Sequence, residues 1–589
     1  MNYSLTKTDI EKEKGKGVLK TAWLRLVPLL VEEKRAVTIA IIAILVSSSA
    51  TLVVPLIIAH IVDVYLVTKN FQGVVMYSEL LAGIFVLGLI TSYLQVKTMG
   101  GVGRRLLFNL RNKIFNKLQE LPVAFFNQNK AGDLISRINN DTDKLNQFFA
   151  QALMQFLSNI ILIIGTGVFL LVIDFKLGLV ALVPAIVALI LTQILSPWVK
   201  RASLKSLRTL GSMSGEIQES INNFKVIVAF NRLDYFRNKF KESNEANYSA
   251  SVSAGIAGNI FNPIYVLASS LAQLVVLVFG IYFISDGHFT VGLLIGFLLY
   301  VNSFYNPLRQ LASVWSSLQL ALAGLDRISE VLALESDIKI VTSVSAPDGV
   351  GVMEFRNVFF RYDDGVEDVL RNLNFVLEKG KTYALVGPTG GGKTTTASLM
   401  ARLYDPSKGT VYLEGKDLRS YSAKERVKKI GFILQEPFLF TGTIRENILY
   451  GNEEYQGHSN EELVKVLDEA NLTGLLSRFS DGLDTKISQG TDAISLGQKQ
   501  LIAFIRATLR DPDILILDEA TANIDTVTEQ LLEEIIKKLP EKTTKVIIAH
   551  RLNTIENADD IFFVNSGKVA EAGSMQRAME MLLHDKRQS

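Results

Sequence analysis

Six long apolar segments, at 36–66, 79–98, 151–173, 177–195, 260–284 and 290–312, dominate the first part of the sequence. Most reach the ~20 residues needed to cross a hydrocarbon layer, where every backbone donor and acceptor must be satisfied without water. That condition selects helices. The flanks are strongly biased: Lys and Arg crowd the stretch before residue 36 and the connections 97–144 and 200–241, whereas 67–78, 174–176 and 285–290 contain only Lys69 and Lys176. Basic flanks stay on the cytoplasmic side. Both chain ends and the two long connections are therefore expected to be cytoplasmic, and the three short links to face outward.

The long connections keep a helical apolar period with few Pro or Gly breaks, as in RRLLFNLRNKIFNKLQEL and GSMSGEIQESINNFKVIVAF. Each supplies two extensions of ~20 to 25 residues, which at ~1.5 Å per residue reach ~30 to 40 Å beyond the bilayer. A short transverse helix is expected at the far end of each, one within Phe125 to Asp141 and one around Phe224 to Phe230. Polar or ionisable residues within spans are functional candidates by default; here they are His60, Asp63, Gln273, Asn302, Asn306 and Arg309. His60 and Asp63 fall near the outer end of the first span and Arg309 near the cytoplasmic extension. None of them alone designates a substrate.

From Val352 onward the character changes to short apolar strands and charged helices. The predicted organisation is a cytoplasmic head at 1–35, a six-helix membrane domain at 36–335, a linker at 336–351 and a soluble α/β domain at 352–589. Basic and acidic residues nearly cancel, 61 against 59, so no global field favours nucleic acid as a partner. The chain has no cysteine, which excludes disulfides, thiolate metal sites and cysteine nucleophiles. The N-terminus lacks the pattern of a cleaved signal peptide.

The strongest local motif is GPTGGGKT, following the apolar stretch Tyr383 to Val386. Gly387, Pro388, Thr389, Gly390, Gly391, Gly392, Lys393 and Thr394, with Thr395 behind them, fit the phosphate-binding pattern G-x-x-x-x-G-K-[ST]. Glycines let successive N–H groups curl around phosphates at a helix N-terminus, Lys393 reaches the β- and γ-phosphates, and Thr394 suits Mg²⁺. Farther on, the strand Ile514 to Leu517 runs into Asp518 and Glu519. Asp518 suits Mg²⁺ coordination through water, and Glu519 suits a general base for the attacking water.

With Gln435 in GFILQEP, the segment ISLGQKQ and His550 in VIIAHR, the chain resembles ATP-binding-cassette (ABC) proteins over essentially its whole length, with the motifs in the family's order. The resemblance implies an exporter-type six-helix membrane domain joined to an α/β P-loop NTPase domain, with ATP and Mg²⁺ as cofactors. It implies that Tyr362 stacks on adenine, that Gln435 contacts Mg²⁺ and the attacking water, that His550 holds the γ-phosphate, and that Asp525 links the two nucleotide sites. Ser495, Gly497 and Gln498 match the signature that caps ATP bound by the other subunit.

Two neighbouring departures stand out: Leu496 replaces a glycine of the usual signature, and Gln489 stands where an acidic residue is usual. The half of the site that performs chemistry looks sound, and the half lent to a partner looks altered. This combination resembles the competent member of heterodimeric exporters, so the expected partner is a different ABC half-transporter rather than a second copy. The expected function is ATP-driven export of an amphipathic or lipophilic compound, drug-like or lipid, across a bilayer, most simply the bacterial plasma membrane. Two rivals use the same scaffold: import of a siderophore-like compound, and an ATP-gated channel or regulatory receptor, against which Glu519 and His550 count. Soluble ABC ATPases of DNA repair or translation are excluded by the spans.

Overall fold

The computed structural model describes residues 3–5, 26, 28–342, 351–362, 365, 367–476, 478–488, 494–518, 526–548 and 558–585. Two compact units emerge. One comprises Thr6–Gln119 and Ala131–Ala333; the other comprises Met1–Leu5, Glu120–Lys130 and Leu334–Ser589. The main division falls between Ala333 and Leu334, and two short pieces of the earlier chain group with the ATPase part.

In the helical unit, α1 (Lys34–His60) continues through a wider turn at Ile61–Leu66, and α2 runs unbroken from Phe71 to Glu120. The short α3 (Val123–Gln128) belongs to the other unit. Then follow α4 (Ala131–Ile173), α5 (Phe175–Asn222), α6 (Phe224–Ala229), α7 (Leu233–Asn259), α8 (Phe261–Ser285) and α9 (Val291–Leu332). Six helical stretches among the described residues are long and apolar enough to cross a membrane. Their outer faces carry Leu89, Val96, Val172 and Ile194, all more than 60% exposed. Such surfaces suit lipid rather than water. α2 is 50 residues long, or ~75 Å, so span and extension form one rod.

Capping explains where the rods begin. Asp174 accepts from the Leu177 N–H at 2.7 Å to open α5, and Thr290 accepts from Leu293 to open α9. The Asp63 carboxylate accepts from Thr290 Oγ1 at 2.6 Å and from the Gly292 N–H at 2.7 Å. Asp63 is therefore engaged in tying the end of the first span to the start of the sixth. Gly292 permits the approach, since a Cβ there would meet the Ala59 carbonyl at 2.2 Å. At the other end of α9, the buried Arg137 of α4 pairs with Asp133 at 2.9 Å and with Glu330 at 2.7 Å, and Arg327 pairs with Asp141 at 3.0 Å. Buried charges held this way resist separation, because removing one partner leaves the other desolvated and alone.

The transverse element expected within Phe125 to Asp141 is only α3, six residues long. Pro122 starts it in extended conformation, and Asn129 ends it by donating from Nδ2 to the Phe125 carbonyl at 2.8 Å. From Ala131 the chain is already the returning helix α4. The second expected element agrees closely with α6.

The ATPase unit contains β1 (Met353–Phe360), β2 (Leu370–Leu377), β3 (Thr382–Val386), β4 (Lys408–Leu413), β5 (Lys416–Asp417), β6 (Ile430–Ile433), β7 (Gly442–Thr443), β8 (Lys486–Ile487), β9 (Ile514–Asp518), β10 (Thr544–Ile548), β11 (Asp560–Asn565) and β12 (Lys568–Glu571). One sheet, ordered β2-β1-β4-β5, is antiparallel; a six-stranded sheet runs β12-β11-β3-β10-β9-β6, parallel except at the β12 edge. Strands β9 and β10 are buried at every position, as expected of parallel strands covered on both faces. Ligands in such sheets bind beyond the carboxyl ends of the strands. The loop Gly387 to Gly392, Asp518 and Gln435 lie there.

Candidate functional site

The loop after β3 turns sharply into α10 (Lys393–Met400). Gly387, Gly390 and Gly392 have φ of 149°, 82° and 112°, values that L side chains rarely tolerate. Space also demands glycine, because a Cβ on Gly387 would lie 2.0 Å from the Val564 carbonyl of β11. Gly392 caps α10 without a side chain, leaving the first helical N–H groups open toward an anion. Lys393 is 5% exposed and folds back along the loop, donating to the carbonyls of Gly387 at 2.8 Å and Pro388 at 3.0 Å. An ammonium held inside the curve of the loop is placed to meet phosphate there.

Thr394 Oγ1 donates to Asp518 Oδ1 at 3.3 Å, and Asp518 is buried at the end of β9. Two hard oxygen donors thus stand together beside the helix N-terminus. Among the described residues no group of three His, Cys, Asp or Glu is placed to hold a metal. The donor set fits Mg²⁺, which keeps waters and takes phosphate oxygens instead of needing an all-protein cage. Gln435 is exposed two residues past β6, whose Ile433 pairs with Leu517 of β9, so it leaves the sheet at the same end as Asp518. Glu519, Asp525 and His550 lie outside the described residues.

Tyr362 is 37% exposed, with its hydroxyl 3.2 Å from Thr395 Oγ1 and its ring edge-on to Phe360 and Tyr404. This joins the predicted adenine residue to the phosphate loop through one side-chain contact. Sequence reasoning missed Tyr404. Its hydroxyl accepts from Asn127 of α3 at 2.6 Å, and burial, reinforced by the neighbouring Tyr362, pushes its phenol above the ordinary range. It also missed Tyr3, which is 1% exposed: its N–H donates to Gln128 at 2.7 Å and its hydroxyl accepts from the Asp337 N–H at 2.9 Å. No motif announces either tyrosine. Between α3, Tyr362 and Tyr404 lies a cavity of about 490 Å³.

The signature segment opens α11 (Leu496–Thr508). Ser495 accepts from the Gln498 N–H at 3.2 Å, while Gln498 accepts from the Ser495 N–H at 3.0 Å and donates to the Arg478 carbonyl at 3.0 Å. Leu496 is the first helical residue, has no positive φ, and is 38% exposed. A helix start of this kind suits any residue, so the leucine differs from a glycine here in bulk rather than in the backbone it requires. Gly497 follows it, buried.

A second surface groove, about 230 Å³, is lined by Leu434, Phe438, Phe440, Tyr450 and Arg506. The Arg506 guanidinium lies 5.5 Å from the Tyr450 ring centre and donates to the Asn447 carbonyl at 2.8 Å.

Comparison with known proteins agrees with this arrangement. Residues 37–308 match the ABC transporter transmembrane region family, and residues 370–522 match the ABC transporter family. An uncharacterised ABC transporter ATP-binding protein of Bacillus subtilis is 33% identical over 97% of this chain and 95% of its own length. A fatty acid ABC transporter ATP-binding/permease protein of Mycobacterium bovis is 30% identical over 86% and 79%. A multidrug resistance ABC transporter ATP-binding and permease protein of Lactococcus lactis is 29% identical over 95% and 94%. A membrane unit with six candidate spans, an ATP-binding loop on a parallel sheet and these full-length likenesses lead to one conclusion: the chain belongs to the ABC transporter family, as an exporter-type half-transporter whose ATP hydrolysis is coupled to transport.

Proposed function

We propose that this chain is the catalytically competent half of a heterodimeric exporter that moves an amphipathic or lipophilic compound, drug-like or lipid, across the bacterial plasma membrane, with both chain ends cytoplasmic. The observation that carries the pairing is an unfilled face: Phe224, Val226, Val228 and Phe230 on and beside α6 are each at least 50% exposed. Four large apolar side chains at the tip of a cytoplasmic extension call for a partner surface. The aromatic groove around Phe438 and Tyr450 is a fitting dock for the corresponding helix of the second half. The names of the Mycobacterium bovis and Lactococcus lactis relatives support a lipid or drug-like substrate.

Within the site, Gly387 to Thr395 bind the phosphates, Tyr362 the adenine, and Thr394, Asp518 and Gln435 the Mg²⁺. When bound, that ion would neutralise phosphate charge. Glu519 takes a proton from the attacking water, His550 holds the γ-phosphate, and Asp525 links the two sites. Ser495, Leu496, Gly497 and Gln498 face nucleotide held by the partner. The working domains are the head 1–35, membrane domain 36–335, linker 336–351 and ATPase 352–589. The test is to purify the chain alone and with partners encoded beside it, then measure ATP turnover and ATP-driven flux in proteoliposomes. Full coupled turnover by a homodimer defeats the heterodimer.

A further inference from the structure

Between residues 151 and 312 the predicted spans carry one charged side chain, Arg309. Asp63, near the outer end of the first span, is engaged by Thr290 and Gly292 at the start of α9. Arg309 has a different situation. Among the described residues its hydrogen-bond partner is a neutral amide, Asn262 Oδ1 at 3.2 Å, rather than a carboxylate. It stands at the inner end of the sixth span, Val291–Leu311.

Arg309 is also not isolated along the helix. Asn302, Asn306 and Gln310 recur at four-residue steps, placing them with Arg309 on one face of α9. Asn302 Oδ1 accepts from Gln273 at 2.7 Å, and Gln310 Oε1 accepts from Gln155 at 3.0 Å, so amides from α8 and α4 border the same face. Asn302, Asn306 and Arg309 are exposed in the chain. Toward the outer end the same face turns apolar, with Ile295 and Leu298 half-buried. Polar side chains cannot be left against lipid without cost, so a face like this lines a watery cavity or meets a ligand. It grades from apolar to amide to cation over ~21 Å, counting ~1.5 Å for each of the steps from Ile295 to Arg309.

We propose that this face of α9 receives an amphiphile with an anionic headgroup, carboxylate or phosphate, seated on the Arg309 guanidinium, with the amides bonding its polar shoulder and the tail lying toward Ile295. The inference rests on the export reading and sharpens its substrate class: a lone cation repels lipophilic cations and gives an acidic headgroup a charge-assisted hydrogen bond. A guanidinium at the inner end fits a headgroup arriving from the cytoplasmic leaflet.

The experiment uses the assembled full-length transporter in nanodiscs of phosphatidylcholine without nucleotide. A fluorescent fatty acid, a lysophosphatidic acid and an alkyltrimethylammonium of matched tail length are titrated. Both anions are expected to bind at least about tenfold more tightly than the cation, the ratio one charge-assisted hydrogen bond supports. Arg309→Gln should erase the preference and Arg309→Glu should reverse it. Relative affinities of the two anions identify carboxylate or phosphate as the natural headgroup. Equal binding of cation and anions, a preference untouched by Arg309→Gln, absence of binding because the second half covers this face, or competition by tail-less inorganic phosphate overturns the proposal. ATP-driven flux in proteoliposomes separates the two readings. Anion binding without flux refutes export and leaves the site; flux of the cation equal to that of the anions refutes the site and leaves export.

Discussion

The phosphate loop and the signature segment both begin at a helix N-terminus, yet they are built to opposite ends. In the loop, glycines with positive φ press the backbone against Val564 and Lys393 turns inward onto its own carbonyls. At the signature, Ser495 and Gln498 satisfy each other and Leu496 points out, 38% exposed. One is a concave loop shaped by its own backbone, and the other is a self-satisfied helix start that faces outward. The two short transverse helices repeat the contrast: α3 is pinned by Tyr3 and Tyr404, whereas α6 leaves its apolar side chains bare. A chain that completes one of each pair is half of a machine.

The largest effect that would sharpen this contrast belongs to the complete side. Glu519→Gln preserves size but not basicity, and should retain nucleotide binding while lowering turnover at least ~100-fold, the typical share of general-base catalysis. Single-turnover ATP hydrolysis with the partner's site disabled checks it; near-native rates would remove Glu519 from the mechanism. Next comes Lys393→Ala, which deletes charge-assisted bonds to phosphate and should weaken nucleotide binding in this chain's own site by roughly tenfold or more. Direct titration with the partner's site blocked reads the change, and an unaltered affinity breaks the picture of a preformed receptacle.

Smaller changes are expected on the outward side. Because Leu496 has an ordinary helical backbone, Leu496→Gly should act by removing bulk alone, raising turnover at the partner's nucleotide site by a few-fold, about 1 kcal/mol, while costing about 1 kcal/mol of helix propensity. Turnover and thermal unfolding measured together test both parts. A rise at this chain's own site would place the signature on the wrong nucleotide. Last, single cysteines at Phe125 and Phe224 in this Cys-free chain should differ in partner: the former should cross-link within its own chain near Tyr404 and the latter only to the second half. Intrachain cross-linking of both would dissolve the comparison between α3 and α6.

Much of the architecture was legible because it is local. Spans are set by runs of apolar residues, and the phosphate loop by glycine spacing that few other backbones satisfy. The short transverse helices were harder to bound: the stretch after Asn129 has good helical periodicity, and only the Pro122 and Asn129 stops show that it belongs to α4. The backbone at Leu496 was not legible either, since the cap that Ser495 provides makes it an ordinary helix start. Tyr3 and Tyr404 carried no signal, since their meaning comes from contacts with residues more than a hundred positions away.

The sequence by itself determined the number of spans, the phosphate-binding chemistry and the family, because solvent partition and loop geometry are written in windows of a few to about twenty residues. Tertiary structure alone decided how the polar residues of the spans are divided. His60, Asp63, Gln273, Asn302, Asn306 and Arg309 look equivalent as letters in apolar segments. Folding spends Asp63 on the N-terminus of α9, 227 residues from it to Thr290, and ties Gln273 to Asn302. It leaves Arg309 with an amide for company. Whether a charge in a span is structural or available depends on which distant donor or acceptor reaches it, and that is a property of the folded chain.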